Sequence, residues 1–166
     1  MGRAIKQVTR DLLNNLLRYD AMTGNFHWIV NRQGHTKAGD LAGSKARNGY
    51  IGIMVCGKRY GAHRLAWMCM YGTWPVNQID HINGVRDDNR FFNLRDVSSA
   101  LNKQNQRRAH KGSRTGILGV SPNGRGFKAS ITVAGVTRTL GTYQKIQDAQ
   151  AAYIAGKRVM HVAGTL

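Results

Sequence analysis

Asp80 and His81 stand side by side, with Asn93 twelve residues after the histidine and Asn102 twenty-one after it. Those residue types at those distances can build a small one-metal site. Asp80 and Asn102 offer hard oxygen ligands of the kind Mg²⁺ or Mn²⁺ takes. His81 is then free to take a proton from water, because an imidazole titrates near neutrality. The surrounding residues suggest how the chain positions them. Residues 76–81 and 92–97 read as two short strands, Gly84 and the run Val85-Arg86-Asp87-Asp88-Asn89 as a turn between them, and Ser98 onward as a helix. The expected order is strand, loop, strand, helix.

Charge indicates the partner. The 166 residues carry a formal net charge of +17 and a pI near 10.8. Self-repulsion of that size destabilises a compact state unless a polyanion neutralises it, so nucleic acid is the expected partner. All eight acidic residues are aspartates, which excludes any paired-glutamate mechanism. From Val97 to Gln147 every charged residue is basic: Lys103, Arg107, Arg108, Lys111, Arg114, Arg125, Lys128, Arg138 and Lys145. Such a stretch should follow a phosphate backbone, with binding that weakens as salt rises. Cys56 and Cys69 are too few for a thiolate zinc site and lack CxxC spacing, so no structural zinc is expected. Cys69 sits in an apolar run and reads as a small core residue. No apolar stretch follows the N-terminal charges and none approaches membrane-spanning length, so the expectation is a reduced, cytoplasmic protein with no membrane partner.

The site residues and their neighbours resemble the HNH (ββα-metal) endonucleases, and within them the homing branch of phages and introns. The matching text is His63-Arg64-Leu65-Ala66-Trp67, Tyr71-Gly72, Pro75, Ile79 to Gly84, Asp88-Asn89-Arg90, Asn93-Leu94-Arg95 and Asn102. The resemblance implies that Asp80 and Asn102 bind one divalent metal, Mg²⁺ or Mn²⁺, and that His81 is the general base. It implies that Asn93 braces the loop holding the histidine. The substrate would be double-stranded DNA, nicked on one strand per active site. Arg90 and Arg95 are candidates for steadying the phosphate.

Around this core the chain divides into an N-terminal helix-and-hairpin extension (1–59), the nuclease core (60–106), a basic linker (107–115) and a second module (116–166). Residues 5–18 read as an amphipathic helix with Leu12, Leu13, Leu16 and Leu17 on one face and Thr9 as a plausible N-cap. Asp20 to Gly24 is turn chemistry and Phe26 to Val30 a strand. Residues 31–48 read as a polar loop, either contacting phosphate through Arg32, Lys37, Lys45 and Arg47 or merely solvated. Tyr50 to Val55 and Arg59 to Ala62 suggest a hairpin through Cys56-Gly57-Lys58. His63 to Tyr71 is a mostly apolar helix ending at Gly72. His63 itself reads as a structural histidine bonded to backbone, with a supporting or phosphate-binding role as the alternative.

In the second module, residues 116–120 read as a strand, 121–126 as a turn and 127–133 as an alternating strand. Ala134-Gly135 is a two-residue turn, 136–140 a third strand, and 145–159 a helix. Pairing Val133 with Val136 sets Thr132 against Thr137 and Ser130 against Thr139 on one face, with Ala129, Ile131 and Leu140 on the other. Ile146, Ala149, Ala152 and Tyr153 would cover that apolar face. Gly119-Val120, Phe127 to Ile131, Leu140 to Tyr143 and Ala149 to Tyr153 resemble the DNA-binding domain of plant APETALA/ethylene-response factors, which places its sheet in the major groove. Here small hydroxyl residues stand where those domains carry arginine and tryptophan. Direct base reading by Ser130, Thr132, Thr137 and Thr139 is therefore weak, and Arg125, Lys128 and Arg138 would mainly grip phosphate. Arg138 shares the Ile131 face, so lying along the helix is its alternative.

The expected class is thus α+β: a ββα-metal core with its extension, plus a three-stranded antiparallel sheet backed by one helix. A rival reading is a catalytically silent DNA-binding regulator on the same scaffold, and a third is a ribonuclease or unspecific nuclease. A monomer or weak dimer is expected, since no coiled-coil pattern is present.

Overall fold

The computed structural model describes residues 8–106 and 108–161, and these form two compact units, the first ending at Asp96 and the second beginning at Val97. Both mix short helices with small sheets, an α+β organisation.

In the first unit Thr9 caps α1 (Arg10–Asn14), its hydroxyl accepting from Leu12 N at 3.2 Å. The helix expected to run to residue 18 stops here, and its residues 5–7 lie outside the described residues. Leu17–Tyr19 is instead a strand, β1, paired antiparallel with β2 (Phe26–Trp28). Asp20 is the reason. Its carboxylate accepts from Met22 N and Thr23 N at 2.9 and 3.3 Å, which bends the chain back through Gly24. Leu13 and Leu17 are buried on either side of the break, so leucine spacing alone could not reveal it.

The stretch 31–48 is not a free loop. Gly39 N donates to Trp28 O, Trp28 N donates to Asp40 O, and β3 (Ser44–Lys45) pairs with β4 (Ile51–Val55). β4 turns into β5 (Lys58–Gly61) through Cys56-Gly57 at φ +50° and +80°, the two positive values a two-residue primed turn requires. α2 (Ala62–Tyr71) follows and ends on Gly72 at φ +76°. Leu65, Ala66, Met68 and Cys69 of α2 pack with Phe26, Ile53, Val55, Ile79 and Leu94 in one core. Burial pushes the Cys69 thiol up to about 11, as befits a core residue. β6 (Gln78–His81) and β7 (Leu94–Val97) form a two-stranded sheet. The strand expected from residue 92 begins later, because Phe91–Asn93 makes one 3-10 turn first.

The second unit opens with α3 (Ser99–Gln104), capped by the Ser98 hydroxyl accepting from Leu101 N at 3.4 Å. Its sheet has the order β10-β9-β8, with β8 at Val120–Asn123, β9 at Gly126–Val133 and β10 at Val136–Tyr143. Thr132 faces Thr137 and Ser130 faces Thr139, the register expected from the hairpin turn. The first strand lies later than the expected 116–120. Gly116 and Gly119 bend the chain at positive φ, and Pro122 is tolerated because β8 is an edge strand. α4 (Ile146–Met160) lays Ala149 and Tyr153 on Ala129, Ile131 and Val120. The chain before β8 is tied down as well. Thr115 donates its hydroxyl to Val120 O at 2.7 Å, and buried Lys157 on α4 donates to Gln106 O.

Gly119 is the tightest point of this unit: it sits at φ +73°, and a Cβ there would lie 2.0 Å from the Tyr153 ring. Gly119→Ala should destabilise the second unit by about 2–4 kcal/mol through backbone strain and overpacking. Chemical denaturation followed by hydrogen exchange of β8–β10 measures it, and an unchanged unit would contradict this packing.

Candidate active site

β6 delivers Asp80 and His81 into the first unit, where they are only 7% and 3% exposed. The loop from Ile82 to Asn93 then closes over its own polar groups. Asn93 is the clasp. Its side-chain oxygen accepts from Asn83 N at 2.9 Å, its amide nitrogen donates to Asp88 O at 2.8 Å, and its carbonyl accepts from Ile82 N at 2.9 Å. Asp88 is a second knot. It accepts from Arg90 Nε and Nη2 at 2.7 and 2.6 Å and from Asn83 Nδ2 at 2.6 Å, which hold its carboxyl down at about 2. Neither Asp88 nor Asn89 had been assigned a role from sequence, although an Asp-Asn pair inside a polar loop is the kind of text that ties such a loop together.

His81 is enclosed by side chains from α2 and from two loop positions, Tyr50 and Asn89. Its Nε2 lies 3.3 Å from Asn89 Oδ1. Its ring meets His63 of α2 edge-on at 5.3 Å between centroids and Tyr50 at 5.7 Å, and these two rings lie 5.2 Å apart. Burial depresses the His81 pKa, outweighing the Asn89 bond and the nearby Asp80 charge, which both raise it. The ring is therefore neutral at physiological pH. His63 departs from the expectation of a backbone-bonded histidine: its Nδ1 is buried with no hydrogen-bond partner among the described residues. It packs so closely on Gly61 that a Cβ there would lie 2.6 Å from its ring. Burial, with the neighbouring His81, lowers its pKa to about 4.

The arginines are engaged within the chain. Arg95 donates to Asp80 Oδ2 through Nε at 3.0 Å and Nη2 at 2.7 Å, and Arg90 pairs with Asp88 while lying over the Phe92 ring at 4.8 Å. Guanidinium geometry matches a carboxylate as well as it matches a phosphate, so either arginine can serve both partners in turn. Two basic residues, one from the extension and one from the loop, tie the two together. Lys45 pairs with Asp87, and Arg86 donates to Asn48 O at 2.8 Å while lying over the Tyr50 ring.

Asn102 is half-buried on α3 of the second unit, one residue before exposed Lys103. In the same unit Arg108, Lys111, Arg114, Arg125 and Arg138 are exposed, Arg107 lies outside the described residues, and Lys128 is half-buried opposite Thr142. Thr132, Thr137 and Thr139 are exposed with half-buried Ser130 on one sheet face, and the hydroxyls of Thr132 and Thr137 meet at 2.9 Å. Arg138 faces Ile131 across the ladder. Among the described residues no three His, Cys, Asp or Glu side chains gather as a metal-holding group, and no helix is long and apolar enough to cross a membrane.

Two expectations follow. Asn93→Ala leaves the half-buried Asn83 N–H and Asp88 carbonyl unmatched, and should cost about 2–4 kcal/mol in a denaturant titration. The second concerns pH. With His63 near 4 when folded and near 6.5 when unfolded, the unfolded chain takes up the proton first. This contribution is therefore complete above about pH 6.5 and declines as pH falls toward 4. Melting temperatures should drop more steeply between pH 7 and 5 for the natural chain than for His63→Phe, and parallel curves would contradict the burial.

No curated protein and no solved structure matches the chain. Residues 60–105, from β5 through the Asp80–Asn93 region to the end of α3, match the family model for HNH endonuclease, which points to nuclease activity on DNA.

Proposed function

We propose that the protein is a metal-dependent DNA endonuclease of the HNH homing type, encoded by a phage or similar mobile element and acting in a bacterial cytoplasm. The observation that carries this reading is the buried, neutral His81 beside Asp80, held by a loop clasped on Asn93, inside the segment matching the HNH family. Neutral His81 takes the proton from the attacking water. Asn93 keeps the loop, and with it the imidazole, in place. Arg95 releases Asp80 as DNA arrives and turns to the scissile phosphate, and Arg90 supports the same phosphate from the loop.

The donor set fits a divalent cation: Asp80 contributes a carboxylate and Asn102 an amide oxygen, both hard ligands. Mg²⁺ or Mn²⁺ held by Asp80 and Asn102 would supply positive charge to the phosphate and the leaving oxygen. With so few protein ligands, affinity for the cation is weak until DNA completes its shell. The second unit supplies DNA affinity as an APETALA/ethylene-response-factor-like sheet. Lys103, Arg107, Arg108, Lys111, Arg114, Arg125, Lys128 and Arg138 contact phosphate, while Ser130, Thr132, Thr137 and Thr139 face the groove. One active site per chain, as a monomer or weak dimer, nicks one strand.

A second reading keeps the binding and drops the reaction. The Arg95–Asp80 ion pair favours it, because it engages an oxygen that a cation would need. A plasmid-nicking assay separates the two. Nicking with Mg²⁺ or Mn²⁺ that stops in EDTA, and falls by about 10²–10⁴ in His81→Ala with DNA binding retained, is the expected result. Purified protein that binds plasmid and never nicks it is the regulator. Lys128→Gln should weaken binding alike across sequences and lower the salt slope by about one.

A further inference from the structure

Asn89 is 2% exposed, and both ends of its amide are engaged: Oδ1 faces His81 Nε2 at 3.3 Å, and Nδ2 donates to Asp87 O at 3.2 Å. The second bond decides the orientation. Turned over, the amide would set its oxygen against the Asp87 carbonyl, acceptor against acceptor. With Oδ1 facing the ring, Nε2 carries the proton of neutral His81, and the lone pair stands on Nδ1.

Asn89 does not hold this position alone. Tyr19, the last residue of β1, donates its hydroxyl to Asn89 O at 2.7 Å, and Phe91 N donates to Ala21 O at 2.9 Å. Gly24 lies flat on the same backbone: a Cβ there would stand 2.4 Å from Arg90 N and 2.5 Å from Asn89 C, and its φ is +77°. The β1–β2 turn therefore grips the chain at Asn89 and over the two residues after it. Tyr19 in turn stacks on Phe26 at 4.6 Å, which anchors the grip in the core.

We propose that Asn89 is a positioning residue that sets the tautomer of His81, making Nδ1 the atom that accepts the proton from water, and that the Tyr19–Gly24 turn is the clamp that holds it. The inference rests on the nuclease reading and gives the extension outside the matched segment a part in the reaction.

The test uses the full chain with ¹⁵N-labelled histidine near pH 7.5, with His81→Gln to assign the ring. In the natural protein His81 should show an N–H at Nε2 and a lone pair at Nδ1. Asn89→Leu should mix the tautomers and lower kcat about 10-fold or more while KM for DNA changes little. Asn89→Asp keeps the acceptor and should keep the tautomer. Tyr19→Phe should shift it part way with a smaller loss, and it carries the test if Asn89→Leu fails to fold. The proton on Nδ1 in the natural chain, or ring nitrogens indifferent to both Asn89→Leu and Tyr19→Phe, would overturn the proposal. The spectra need no cleavage, so a chain that never nicks plasmid yet shows the expected nitrogens supports the clamp and removes only the nuclease reading.

Discussion

A buried imidazole on a short strand is useful only if the loop beside it cannot move, and here one asparagine side chain carries most of that constraint. Asn93 bonds to Asn83 and Asp88 from opposite sides of the loop, while its backbone joins Ile82. Both side-chain hydrogen bonds of the clasp are part-buried, where an unmade bond is costly. Leu94, the next residue, is in the core with Ile79, so the clasp is fastened to packing and not to solvent. The loop's carboxylates and asparagines thus hold one another while Asp80 and His81 stay on the strand.

The extension is joined to this arrangement at three places. Tyr19 reaches the Asn89 carbonyl, Lys45 reaches Asp87, and Tyr50 touches the His63 ring and the Arg86 guanidinium. None of these residues carries chemistry of its own. Tyr50 and His63 lie against the His81 ring, whose burial lowers its pKa despite Asp80 next to it. A strongly basic chain thereby keeps an uncharged imidazole in the interior of its first unit.

Some of this was legible from residues alone. The Asp80-His81 pair, the two asparagines behind it and the strand–loop–strand–helix order all stand in the text. So does the Thr132–Thr137 register, because Ala134-Gly135 leaves one hairpin turn available. What was not legible depends on long-range contact. α1 stops at Asn14 because a turn at Asp20 folds Leu17 onto Trp28, a choice leucine spacing cannot express. β8 starts at Val120 because Thr115 and two glycines bend the chain before it. Asn89 beside His81, and Tyr19 beside Asn89, come together across 8 and 70 residues of sequence. No local pattern announces either meeting. From sequence Arg95 is a candidate for steadying the phosphate, and its pairing with Asp80 appears only once β6 and β7 lie side by side.

The account turns on His81 acting as a neutral base whose pKa burial has lowered. The pH dependence of kcat/KM for DNA nicking tests that most directly. The predicted curve rises with unit slope at acid pH and levels off with a midpoint below the ordinary histidine value of about 6.5. A midpoint above that value, or a rate indifferent to pH across this range, would contradict the assignment of His81.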